Sequence, residues 1–282
     1  MRRIHLRAPQ TGLPVTSLLV ALDGSFFAER AVVPAGRLAA ALGVPLQLWS
    51  AASTPAEAEG RRSRLQALAD TCGATWDVVV TDQPTAAITA AGHTEEHPLL
   101  CLATHGRDRT AALTHSVSAA VVAASDDPLL LVGPTVPQEP PTGHTLAVCV
   151  DGSPDSELLF AVAAGWAHAL GLGVTVLTVA EPVPESVRHP GYYPRLHGPH
   201  GDADAYVEGV VAAWRYDVPV TGRALYDPVD VDGALIRAFV ADPPDLVVVG
   251  TLATQGLRRL ILGSTAAAVA HGSPAPVLVV PL

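Results

Sequence analysis

The residues best placed to do chemistry lie near the end of the chain. Val247, Val248 and Val249 form an apolar, β-branched run that reads as a buried parallel strand ending at Gly250. A loop carries Thr251, Leu252, Ala253, Arg258 and Arg259 to Gly263-Ser264-Thr265, which opens an Ala-rich helix over 266–271. Ser264 reads as the N-cap of that helix and Gly272 as its stop. A strand, a glycine-bounded loop and a helix N-terminus together make an anion site. Glycine lets backbone N–H groups approach a phosphate, and the helix dipole favours negative charge there.

Two acidic turns form the second group, Asp23-Gly24-Ser25 and Asp151-Gly152-Ser153-Pro154. Each closes a strand and opens a helix, so each reads either as a cap with a tight turn or as a carboxylate presented to a ligand. In the second, Ser153 suits the N-cap and Pro154 the first helical position. A third group, His189, His197, His200, Asp202 and Asp204, has donor types that suit zinc or nickel. Its spacing is loose and no cysteine is near, so it reads as a surface loop, in which Tyr192 and Tyr193 would serve as a lid. No His-Glu-x-x-His occurs, and Gly263-Ser264 lacks the following glycine of a nucleophile elbow. A catalytic constellation is absent from the sequence, and the expectation is a binding protein rather than an enzyme.

Composition narrows the classes further. All 17 basic residues are arginine, which removes the P-loop lysine, the kinase lysine and any Schiff base. The net charge of −10 argues against an electrostatic nucleic-acid binder. With 49% apolar and 16% charged residues the chain is globular. Cys72, Cys101 and Cys149 are scattered and read as reduced thiols of a cytoplasmic protein. Arg2, Arg3 and Arg7 precede no apolar run before Pro9, so no secretory signal is expected. The uncharged stretch 158–180 is long enough to span a bilayer, but Gly171-Leu172-Gly173 divides it into helix and strand, so no membrane segment is expected.

Strands expected at 18–22, 44–49, 76–81, 99–103 and 129–132 alternate with helical segments at 26–42, 56–72, 84–91 and 117–124. That alternation means a parallel, doubly wound α/β sheet. Pro34 should kink or interrupt the first helix. A Pro-rich, semi-rigid linker follows at 134–144. The second half repeats the first: Asp151-Gly152-Ser153 answers Asp23-Gly24-Ser25, and Pro276 with its following strand answers Pro128. The offset grows from 128 to 148 residues, mostly through an insertion near 182–205. Two domains are expected, 14–134 and 143–282.

The loop after Gly250 resembles the nucleotide loop of the universal stress protein family, G-x2-G-x9-G-[ST], with Gly250, Gly263 and Ser264 in place and Ala253 where the middle glycine belongs. The resemblance covers nearly the whole chain in tandem. It implies two flavodoxin-like (adenine nucleotide α-hydrolase-like) domains whose last strands pair as an intramolecular pseudo-dimer, with a homodimer as a further option. It implies binding of ATP, with Mg²⁺, or a related adenine nucleotide, mainly in the second domain and in a stress-response role. Asp151 would meet the base or ribose, the Val179 backbone adenine, and Gly250, Gly263, Ser264 and Thr265 the phosphates, with Arg258 adding charge. In the first domain Asp23 and Gly106 keep the pattern. Ala103 and Ser116-Val117 replace its glycines, Arg107 and Arg109 are weak substitutes, and Trp49 stands at the adenine position. The alternative is a nucleotide-free scaffold that keeps the fold and has lost the site.

Overall fold

The computed structural model describes residues 15–94, 98–104, 117–125, 127–139, 143–180, 202–227, 229–251 and 263–282. In the first half these form β1 (Leu18–Leu22), α1 (Phe26–Glu29), α2 (Val32–Leu42), β2 (Leu46–Ala52), α3 (Pro55–Cys72), β3 (Thr75–Val80), α4 (Pro84–Gly92), β4 (Leu99–Ala103), α5 (Val117–Ala124) and β5 (Leu129–Val132). In the second half they form β6 (Thr145–Cys149), a 3₁₀ turn (Ser156–Leu158), α6 (Leu159–Leu170), β7 (Gly173–Ala180), α7 (Asp202–Ala212), β8 (Val220–Tyr226), α8 (Val231–Ala241), β9 (Leu246–Thr251), α9 (Ser264–Gly272) and β10 (Val277–Pro281).

One ten-stranded sheet runs β3-β2-β1-β4-β5-β10-β9-β6-β7-β8. Every pairing is parallel except the central one, where β5 and β10 meet antiparallel through Val277↔Leu131, Leu278↔Leu130 and Val279↔Leu129. The two halves are thus joined at their last strands, as the resemblance implies. Because strand side chains alternate, Val20, Leu48, Leu130, Val148 and Leu278 face one helical layer, and Leu19, Leu131, Val247 and Val279 the other. All residues of β1, β4 and β5 are buried, which explains why they read as unbroken apolar runs.

Several local expectations change. The single helix at 26–42 is two, broken at Arg30 and Ala31, and Pro34 lies in the first turn of α2 rather than mid-helix. Its missing N–H falls among donors that are orphaned there in any case. Ser153 does not cap an α-helix. Its hydroxyl accepts from the Ser156 N–H at 3.2 Å and sets the 3₁₀ turn. Gly171 ends α6 in the left-handed conformation (φ 67°) before β7 begins, so the uncharged stretch is divided as expected. Among the described residues no helix is long and apolar enough to cross a membrane.

The linker is tied down rather than free. Arg30 donates to the Pro134 and Val136 carbonyls at 3.1 and 3.2 Å, and Arg37 donates to those of Gln138 and Glu139. The Thr135 hydroxyl donates to the Ser273 carbonyl at 2.7 Å. The segment after β5 is therefore fixed to α2 on one side and to the end of α9 on the other.

Candidate functional site

In each half the strand order reverses beside its first strand, between β1 and β4 and between β6 and β9. Open α/β sheets bind ligands at such switch points, outside the carboxyl ends of the strands. In the second half the register Val148↔Val248 puts Asp151 and Thr251 the same three residues beyond a paired position, on neighbouring strands about 4.8 Å apart. Val179 lies near the end of β7, one strand further out. Gly263, Ser264 and Thr265 open α9 above β9. The fold therefore gathers these sequence-predicted residues at one edge of the sheet. Arg258, Arg259, Ala253 and Leu252 lie outside the described residues, as do Gly106, Arg107, Arg109, Ser116, His189, Tyr192, Tyr193, His197 and His200.

The Asp151 Oδ1 accepts from the Ser153 N–H at 2.9 Å. Partial burial alone would raise its pKa. Donation from Ser153, side chain and backbone, and from the Ser156 hydroxyl outweighs that and holds the carboxyl below its ordinary value. Asp151 is therefore a carboxylate at neutral pH, suited to accept from a ligand hydroxyl or amine.

The helix entry differs from expectation. Gly263, not Ser264, is the N-cap, and Ser264 is the first helical residue. Gly263 has φ −58° and ψ 157°, and among the described residues a Cβ built on it meets no atom within 4 Å. Among the described residues no side chain caps this helix, and its first turn carries no acidic residue. Among those residues nothing compensates its N–H groups and positive dipole end. At the other end the helix runs through Gly272 to a cap at Ser273. Gly272 is small because a Cβ there would stand 2.5 Å from Ile236 Cδ1 of α8.

Gly250 has a packing role. β9 continues through it to Thr251, and a Cβ on Gly250 would lie 2.3 Å from Leu282 Cδ1. Thr251 was not singled out by the sequence reasoning. It is fully buried, and among the described residues its hydroxyl has no hydrogen-bond partner. Its first-half counterpart, Thr104, donates to the Ala270 carbonyl at 3.5 Å. The signal for Thr251 was a lone polar residue at the end of an all-apolar strand, directly after the first loop glycine.

The first-half crevice is built differently. Asp23 accepts from the Ser25 N–H at 2.8 Å, as Asp151 does from Ser153. A cavity of about 280 Å³ opens beside it, bounded by Gly24, Glu29, Glu57, Arg61 and Arg64. The strand registers also correct one equivalence. Leu22 pairs with Ser50, and Cys149 with Leu177, so Val179 corresponds to Ala51 and Trp49 to Leu177. Trp49 is buried in the core opposite α3 and does not enter the crevice. Among the described residues no three His, Cys, Asp or Glu side chains converge as metal ligands, and Asp204 accepts from the Tyr226 hydroxyl at 2.6 Å.

The strand order and the switch points define the class: a doubly wound α/β protein, an architecture whose ligand sites fall at the carboxyl ends of the strands. Residues 144–281 match the family model for the universal stress protein family. A universal stress protein of Thermus aquaticus is 29% identical over 140 residues, which span 48% of this chain and 97% of that protein. A universal stress protein from Archaeoglobus fulgidus DSM 4304 superposes with a TM-score of 0.65 at 16% identity, over 94% of this chain and 98% of the other. A functionally unknown protein from Pseudomonas aeruginosa PAO1 gives a TM-score of 0.61 at 18% identity, over 95% and 92%. Those two structural likenesses are of fold. It is the second half of the chain, residues 144–281, that is similar to the universal stress protein family.

Proposed function

We propose that the second half binds an adenine nucleotide, ATP with Mg²⁺ in the first instance, and that the protein acts inside the cell as a stress-response regulator rather than as an enzyme. One observation carries the reading. Among the described residues, the N-terminus of α9 has no side-chain cap and is open at Gly263, and it stands at the same sheet edge as the buried Thr251 hydroxyl, which has no partner among them. Buried hydroxyls are nearly always satisfied, and an exception calls for a ligand or a water. A phosphate supplies what both features lack: negative charge for the helix end and acceptor oxygens for its N–H groups and the Thr251 hydroxyl. Asp151 then accepts from the sugar or base, and the Val179 backbone meets adenine. Binding and not turnover is the expected output.

Calorimetric titration with ATP and Mg²⁺ tests this. Saturable binding of one nucleotide per chain, much weakened in Gly263→Asp, is expected. No heat with ATP, ADP, AMP or cyclic AMP at sub-millimolar concentration would overturn the reading in favour of a nucleotide-free scaffold.

A further inference from the structure

The two halves carry the same polar fixture at the end of their second strands, but fill it differently. In the first half Ser50 is fully buried, and its hydroxyl donates to the Leu22 carbonyl at 2.6 Å. Arg61 reaches in from α3, and its Nη1 donates to Ser50 Oγ at 2.9 Å and to the Ala51 carbonyl. Glu57, one turn earlier on the same helix, holds Nη2. The guanidinium passes beside Gly24, where an added Cβ would stand 3.7 Å from its Nε. The Arg61 side chain retains 18% of its exposure, whereas neighbouring Arg64, paired with Glu29, retains 58%.

By the strand registers, Thr178 and Val179 are the second-half counterparts of Ser50 and Ala51. Thr178 is 1% exposed, and among the described residues its hydroxyl has no partner. The helix that packs on this face, α7, has no basic residue in its whole length, so no counterpart of Arg61 exists there. Among the described residues, the strand-end hydroxyl is thus served by a planar N–H donor in the first half and by none in the second.

We propose that Arg61 is a built-in ligand: its guanidinium occupies the donor-seeking end of the first-half crevice, so this chain is a one-site protein whose first half is closed by its own side chain. The chemistry the emptied site accepts is that of a planar cation with adjacent N–H donors, a guanidinium or amidinium. Only the stoichiometric arm of the test rests on the nucleotide reading above; the occupancy of the crevice by Arg61 does not.

The test is chemical rescue in the full-length protein. Arg61→Ala is expected to melt lower than wild type. Methylguanidinium at low millimolar concentration, far below denaturing levels, should raise its melting temperature saturably by roughly 3–6 °C. Wild type and Arg64→Ala should not respond. No response of Arg61→Ala, or an equal response of Arg64→Ala, overturns the proposal. Should Arg61→Ala fail to fold, Arg61→Gln keeps a planar N–H donor and Arg61→Met does not. The glutamine variant should then melt measurably above the methionine one, and equal melting again overturns the idea. In the stoichiometric arm, ATP titrates wild type at one site per chain, and two equivalent sites would refute a closed first half. Absence of any ATP binding would sink the nucleotide reading, and the rescue comparison would still decide whether Arg61 fills the crevice.

Discussion

Gly263→Asp should separate binding from folding, because its two effects have opposite signs. The residue has a negative φ, so an L-amino acid fits its backbone, and among the described residues its Cβ would meet nothing within 4 Å. Aspartate is among the best N-caps, better than glycine by a few tenths of a kcal/mol, and its charge adds about 0.3–1 kcal/mol with the dipole of α9. The variant should therefore be as stable as wild type or more so, by about 0.5 kcal/mol. Affinity should move the other way. Two unit charges 4 Å apart interact by about 4 kcal/mol at an effective dielectric of 20. Salt and partial exposure of the crevice bring that down to about 2 kcal/mol, or roughly a thirtyfold loss of ATP affinity. Gly263→Ala serves as the control, and its affinity should stay within a few-fold of wild type. Calorimetric titration at two salt concentrations, with a thermal melt on each protein, reads both effects. An unchanged affinity in the aspartate variant would refute an anion site at this helix end. A loss of affinity accompanied by a loss of stability would refute the claim that the position is open.

The other predictions concern neighbouring residues. Gly250→Ala should cost about 1–3 kcal/mol by pressing on Leu282, and Leu282→Ala in the same protein should relieve much of that, as a double-mutant cycle of melts can show. Thr251→Val should stabilise the free protein by about 1 kcal/mol, by removing a buried unpaired hydroxyl, while weakening ATP binding; a destabilised valine variant would mean that the hydroxyl has a partner in the free protein. Burial pushes the Cys101 and Cys149 thiols up to about 12, so at pH 8 about one in ten thousand of each is thiolate, whereas Cys72 is exposed. Ellman's reagent should count one fast thiol in the native protein and three after unfolding. Burial also raises Asp245 above its ordinary 3.8, so it penalises the fold increasingly as pH rises through its native pKa. Asp245→Asn can keep the acceptor for the Thr145 N–H, and should melt higher than wild type at pH 7 with the advantage gone below about pH 4.

The strands were legible because their burial is two-sided: a strand such as β1, with every residue covered, leaves a run of Leu and Val that little else produces. The repeat was legible because the acidic turns that close β1 and β6 recur in identical residues. Capping was less so. Gly263 and Ser264 both suit a helix start, and which is the cap depends on backbone angles that residue type does not set. The adenine equivalence slipped by two residues for a related reason. Slipping by two keeps every side chain on its own face, so hydrophobic alternation cannot detect it, and only the pairing Leu22↔Ser50 does. Arg61 was invisible because its partners are a hydroxyl and a carbonyl on another element, and a helix with six charged residues offers no sign of which one turns inward.

The asymmetry between halves follows from what each must hold. The first half contributes to the end of α9 through three residues. Thr104 donates to the Ala270 carbonyl, Thr135 donates to Ser273, and Gly133 is bare because a Cβ would sit 2.7 Å from the Ala270 oxygen. Carbonyls at the C-terminal end of that helix, which a helix leaves unsatisfied, thus accept from the other half, while among the described residues its N-terminus has no side-chain cap. Among the described residues the Thr251 hydroxyl makes no bond to match that of Thr104. Among the described residues, a hydroxyl spent on the interface in one half thus has no partner in the other, just as the hydroxyl served by Arg61 in one half has a counterpart, Thr178, without one. Both differences point the same way: hydroxyls bonded within the first half have counterparts without a partner among the described residues of the second, which is where the proposed nucleotide site lies.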